Sequence, residues 1–234
     1  VSWELHCTSL GDVIITVTPD GTDVASGRLL SELGNITPDS IIVCQRYIIE
    51  LWGPEYDPVN NPDGWNLMSL MVEPEDPAIE VVLESIEENV VSVWYYDAQT
   101  ETWLSSTPDG GAWVGDLPTM EDGKGFWIQM TQNDLLAVSG TEVVPPEPGP
   151  NLPPSYQLYA GWNLVGFSSL TPMPADYYFF APYYNEVLKC IWLFGSGPWG
   201  QYILCEIEML DLEPGKGYWV WVAVDHEVVV PWNN

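Results

Sequence analysis

The sequence predicts a mainly β protein made of tandem β-rich, sandwich-like repeats with a short helix in each. Two motifs that recur in one order carry that expectation. Gly64-Trp65-Asn66-Leu67 returns as Gly161-Trp162-Asn163-Leu164, and Gly123-Lys124-Gly125-Phe126-Trp127-Ile128 returns as Gly215-Lys216-Gly217-Tyr218-Trp219-Val220. Between the motifs the copies also align, with Trp94 and Trp192 at matching distances from their glycines. Self-similarity of this kind is the signature of an internal repeat. A second observation is that apolar runs of strand length alternate with turn residues throughout both copies. The third is the stretch Pro145-Pro146-Glu147-Pro148-Gly149-Pro150, whose prolines forbid helix and interior strand and favour an extended polyproline conformation.

These marks divide the chain into a leading β-rich segment at 1–60, a first repeat at 61–144, a stiff proline-rich linker at 145–154 and a second repeat at 155–234. The leading segment lacks both motifs. It offers strand-like runs at 2–6, 13–17 and 41–51 and a helix at 24–33 ended by Gly34, so it reads as a separate small β unit or a diverged half-repeat. In the first repeat a strand at 67–72 leads to a helix over 76–88, capped by Asp76 with Pro77 at its first position and Ile79, Val82, Leu83 and Ile86 on one face. Strands follow at 90–96, 102–106, 125–130 and 135–139, the last ended by Gly140. The second repeat copies this order with shorter loops and a helix near 175–180.

Charge bounds the partners. Against 34 Asp and Glu stand 5 Lys and Arg, a net charge of −29, which argues against nucleic acid and against anionic membrane surfaces, since both need clustered cations. No run reaches the ~18–20 apolar residues of a membrane helix, so direct membrane insertion is not expected. Hydrophobic residues make up 46% of the chain, enough to build cores despite the charge. The chain opens at Val1 with neither Met nor a charged-then-apolar leader and reads as a processed or excised product. Cys7, Cys44, Cys190 and Cys205 place one pair near each end without a C-x-x-C, which fits disulfides in an oxidising, extracellular setting. Cys190 and Cys205 flank the Gly195-Ser196-Gly197-Pro198 turn and are expected to pair, leaving Cys7 for Cys44. Asn35-Ile36-Thr37 is a glycosylation acceptor triplet that agrees with export.

The motifs themselves read as folding signals. Gly before Trp-Asn-Leu turns the backbone tightly into a strand, and Asn66 and Asn163 can bond to main-chain groups at the turn. The two glycines of Gly-Lys-Gly are expected to supply positive φ angles, with the aromatic pair then alternating across the pleat. A phosphate loop would need four residues between its glycines and Ser or Thr after the Lys, and neither copy has them. Lys124 and Lys216 sit beside acids and are expected to form local ion pairs at their turns, the alternatives being an inter-subunit contact or an isopeptide donor. Clustered carboxylates at Glu80, Glu84, Glu87 and Glu88 and at Glu206, Glu208, Asp211 and Glu213 read as solvated acidic faces or as Ca²⁺ sites assembled in three dimensions. Trp65, Trp94, Trp127, Trp162, Trp192 and Trp219 recur and so read as core, whereas Trp103, Trp113, Trp199, Trp221 and Trp232 are the rings expected to meet a ligand. No catalytic signature is present, and His6 and His226 lie at opposite ends of the chain.

Gly-Trp-Asn-Leu followed by Leu212, Pro214, Gly215, Lys216, Gly217, Tyr218 and Trp219 resembles tandem β-rich modules of large cell-surface proteins of archaea and some bacteria, proteins that are anchored, layered or filamentous. The resemblance covers residues 61–234 and departs at Phe126, where Tyr is usual. It implies an extracellular structural role and carries no catalytic residue or cofactor. The expected function is therefore a subunit of a cell-surface filament or surface layer, with itself or other surface proteins as partners. Its assembly strand is the apolar terminal run Val228, Val229 and Val230. The alternatives are a carbohydrate-binding adhesive module with glycans as partners and, further off, a secreted acidic hydrolase.

Overall fold

A computed structural model of the chain describes residues 46–143, 154–179, 188–194, 201–204, 211–229 and 231. The chain divides between Arg46 and Tyr47, and residues 47–234 cohere as one unit. The protein is mainly β, built of antiparallel sheets, with two one-turn α-helices among the described residues. The cysteines Cys7, Cys44 and Cys205, the acceptor Asn35, the assembly residue Val230 and almost all of the proline linker lie outside the described residues, and Cys190 is described in its backbone alone.

The first motif-bearing segment contributes β1 (Arg46–Leu51), β2 (Trp65–Ser69), β3 (Val72–Pro74), α1 (Ile79–Val82), β4 (Val90–Asp97), β5 (Thr102–Asp109), β6 (Ala112–Gly115), β7 (Gly125–Met130) and β8 (Asp134–Glu142). The second contributes β9 (Ser155–Leu158), β10 (Gly161–Gly166), β11 (Met173–Pro174), α2 (Ala175–Tyr178), β12 (Leu188–Phe194), β13 (Gln201–Leu204), β14 (Asp211–Leu212), β15 (Gly217–Val222) and β16 (His226–Val229). The main sheets have one plan: β2-β7-β4-β5-β6 in the first segment and β10-β15-β12-β13 in the second. In each, the strand opened by Gly-Trp-Asn-Leu pairs with the strand opened by the second glycine of Gly-Lys-Gly, Leu67 opposite Trp127 and Leu164 opposite Trp219.

Smaller sheets accompany the main ones, β1-β8-β3 in the first segment and β11-β14 and β16-β9 in the second. β1 lies against β8 and β9 against β16, so the strand of the expected leading segment works as the opening strand of the first repeat, and the boundary expected near residue 60 is not where the strands divide. β16 also departs from expectation. Val228 pairs with Tyr156 and Val229 with Ser155, and Val228 is buried, so this strand is already held within its own chain.

The helix expected over 76–88 shrinks to α1 and a 3-10 turn at Glu87–Asn89. Glu80, Glu84 and Glu88 repel one another at i,i+4 spacing with no cation in the segment, and the Asp76 carboxylate caps a local turn by accepting from the Ala78 N–H at 3.0 Å. The apolar face survives the break, because Ile79, Val82, Leu83 and Ile86 all remain buried.

Each segment has its own core. Phe126, Ile128 and Met130 alternate inward from β7 into a cluster with Leu70, Leu83, Ile86 and Leu136. Tyr218, Val220 and Val222 do the same from β15 against Phe167, Met173 and Tyr178. The intervening residues Trp127 and Trp219 therefore point to the opposite sheet faces, as period-2 alternation demands.

Candidate functional site

Those opposite faces meet. Leu67 and Leu164 are each 4% exposed yet belong to neither core cluster. The reason lies in the glycines that follow: a Cβ on Gly217 would fall 3.1 Å from the Leu67 side chain and one on Gly125 3.2 Å from Leu164. Main chain meets main chain beside them. Met68 bridges to Lys216 and Val165 to Lys124, while the Ser69 N–H donates to the Gly215 carbonyl at 3.1 Å and the Gly166 N–H to the Gly123 carbonyl at 2.9 Å. Each segment thus sets its Trp-Asn-Leu strand against the Gly-Lys-Gly turn of the other, twice and reciprocally. The two repeats are in direct main-chain contact.

This arrangement explains the motifs more closely than the turn argument did. Only the first glycine of each Gly-Lys-Gly has a positive φ, 74° at Gly123 and 77° at Gly215. The second is required by approach: a Cβ would lie 2.8 Å from the Val165 carbonyl oxygen at Gly125 and 2.7 Å from that of Met68 at Gly217. The motif asparagines clamp the end of the preceding strand. Asn66 accepts from the Trp52 N–H at 2.9 Å and donates to its carbonyl at 2.8 Å; Asn163 does the same to Tyr159 at 2.8 and 2.7 Å. The clamps place Trp52 and Tyr159 at corresponding positions although they precede their asparagines by 14 and 4 residues.

Of the recurring tryptophans expected in the core, the five whose side chains are described are not fully buried; the Trp192 side chain, like Trp199 and Trp232, lies outside the described residues. Trp162 is 41% and Trp94 37% exposed, while Trp65, Trp127 and Trp219 are half-buried. They edge the junction between the sheets. Trp65 meets Trp127 edge-on at 6.1 Å and Trp162 meets Trp219 at 6.3 Å, and Trp219 crosses to Trp103 at 5.7 Å and Tyr96 at 5.3 Å in the other segment. Of the rings expected to meet a ligand, Trp103 is exposed and joins this cluster, and Trp113 packs against the first core.

Beside the Lys124 junction the surface opens into a cleft of about 600 Å³. Tyr95, Tyr96, Tyr156 and Tyr159 line it, with the carboxylates of Glu73, Glu75, Asp97, Glu121 and Asp122. Lys124 binds Glu121 at 2.8 Å, the expected local pair, and its ammonium stands 5.2 Å over the Tyr95 ring. Burial, aided by the nearby Asp97 charge, pushes the Tyr95 hydroxyl up to about 12. The Tyr156 hydroxyl donates to Asp122 in a short hydrogen bond and reaches Ser168 Oγ at 3.3 Å. Burial first and the Asp122 charge second push its ionisation well above the ordinary tyrosine range. Ser168 Oγ also accepts from the Gly123 N–H at 3.0 Å.

The Lys216 junction carries the corresponding hollow, of about 10 Å³, lined by Glu50, Leu51, Asn66, Leu67, Met68, Gly215 and Lys216. Among the described residues no group of three His, Cys, Asp or Glu side chains converges as metal ligands would. Glu80 of α1 and, beyond the helix, Glu84 and Glu88 are exposed, while Ile79 and Val82 of α1 are buried. The cleft tyrosines escaped the sequence reading because they lie outside both motifs. Comparison with models of protein families, with curated proteins and with solved structures returns no match.

Proposed function

We propose that residues 47–234 are a rigid, non-catalytic structural module of an exported cell-surface protein, assembled with further copies or with other surface proteins into a filament or surface layer. One observation carries this reading: the signature residues of each segment are spent on its junction with the other. Gly125 and Gly217 admit the facing strands, Leu67 and Leu164 fill the space beside them, and the paired main-chain bonds fix the register. A motif used in this way serves mechanical coupling, not chemistry. The acidic surface and the Asn-Ile-Thr triplet agree with an exported location.

Assembly by donation of β16 loses its basis, because removing that strand would unpair β9 and uncover Val228 and Leu158. Lateral contacts in this reading use the outer strand of the first main sheet, β6, where Val114 is 57% exposed. The test is electron microscopy of the native cell envelope with gold-labelled antibody raised against residues 47–234. Label along filaments or a surface lattice on intact cells is expected; label that appears only after lysis overturns the proposal.

A further inference from the structure

The two junctions are built alike but finished differently. At the Lys216 junction the space over Gly215 is filled by Ile49 and Met71, whose side chains would lie 3.5 and 3.9 Å from an added Cβ. Counted from the motif asparagines and their clamps, Tyr156 stands where Ile49 does and Ser168 where Met71 does, and Asp122 precedes Gly123 as Pro214 precedes Gly215. The fold's requirement at this point is therefore met by two aliphatic side chains and a proline. At the Lys124 junction the same three places hold a hydrogen-bonded Tyr156, Ser168 and Asp122, and there the hollow of about 10 Å³ widens to about 600 Å³. Folding does not ask for that change, so it points to a ligand.

We propose that the cleft at the Lys124 junction binds an uncharged oligosaccharide segment, a role additional to the structural one. Its walls combine tyrosine rings with a mixture of acceptors and donors, the composition of sites that orient a ligand by a few polar groups on an aromatic lining. Sugar hydroxyls both donate and accept, so they can use the carboxylates and the Lys124 ammonium without breaking its pair with Glu121. An anionic ligand would face five carboxylates against one lysine. A basic peptide would find Glu121 held by Lys124 and Asp122 by Tyr156, with Glu73, Glu75 and Asp97 left to meet it, so it is the competitor that the decalysine probe tests. Asp97 and Tyr159 are the residues placed to discriminate, one carboxylate and one ring from opposite segments.

The test is isothermal titration of the full chain with cellohexaose, xylohexaose and mannohexaose, with decalysine and polygalacturonate as charged probes. At least one hexasaccharide is expected to bind at one site per chain. Tyr159→Ala and Asp97→Asn should each weaken it tenfold or more, while Glu50→Gln at the sealed junction leaves it unchanged. Each variant's melting midpoint is read alongside, which guards against misfolding as the cause. Absence of hexasaccharide binding at millimolar concentration overturns the proposal. So does binding indifferent to Tyr159→Ala and Asp97→Asn, or capture of decalysine in place of the sugars. None of these outcomes depends on where the protein is located, so failure here leaves the structural reading separately testable.

Discussion

Leu164 and Trp162 lie two residues apart on the same face of β10, one 4% and the other 41% exposed. The leucine fills the space between two sheets, while the tryptophan keeps an edge contact with Trp219 at the rim. Leu164→Ala is accordingly expected to cost about 2–5 kcal/mol, as a buried leucine truncation does, and Trp162→Ala less, because two-fifths of that residue already lies in water. Urea unfolding followed by circular dichroism checks both, and a tryptophan cost as large as the leucine's would return the ring to the core. Buried tyrosines set the alkaline limit. Burial raises Tyr95 and Tyr178 to about 12, so the folded state retains protons that the unfolded chain releases near pH 10. Their stabilisation is complete below pH 10 and is lost as pH rises from about 10 towards 12. Melting midpoints are expected to hold from pH 8 to 9.5 and then to fall. A fall no smaller in a Tyr95→Phe variant would mean that this hydroxyl does not set the limit.

Strands were legible where their own residues decide them. β7 runs over Gly125–Met130 as expected because a glycine opens it and apolar and half-buried residues alternate along it. β4 spans Val90–Asp97, one residue beyond expectation. The turn-closed strand β6 was missed, since Ala112-Trp113-Val114-Gly115 is too short to show a period. What local pattern could not reveal is which strands pair. β1 reads as part of a leading unit until its partnership with β8 is seen, and β16 reads as a spare edge until it is found against β9. Deleting residues 226–234 is therefore expected to lower the melting midpoint of the whole chain, because Leu158 loses its cover and the β9 main chain its partner. A deletion that melts like the full chain would restore β16 as a strand free for exchange.

At the scale of the molecule, sequence predicts two repeats joined by a stiff proline-rich linker, and the structure sets their sheets face to face. Both motifs were visible; their meeting was not, because the glycines that permit it look like turn residues and the contact joins positions as distant as Met68 and Lys216. That contact predicts cooperativity. The faces that carry Leu67, Leu164 and the half-exposed tryptophans are apolar, so a separated half would present a large hydrophobic surface to water. Two main-chain bridges would be lost as well, Met68 with Lys216 and Val165 with Lys124, and with them the bonds from Ser69 and Gly166 that close them. Calorimetry of residues 47–234 is expected to give one transition, and cleavage within 144–153 should leave it intact while the halves remain associated. Expressed apart, residues 46–143 and 154–234 are expected to melt lower and to bind the hydrophobic dye ANS, and mixing them should restore the single transition. Placing valine at both Gly125 and Gly217 should separate the transition in two, because its side chains would meet the backbone of Val165 and Met68. Halves that melt independently at the intact chain's midpoint and do not associate would show that the junction joins the repeats without stabilising them, and the rigid-module reading would fall with it.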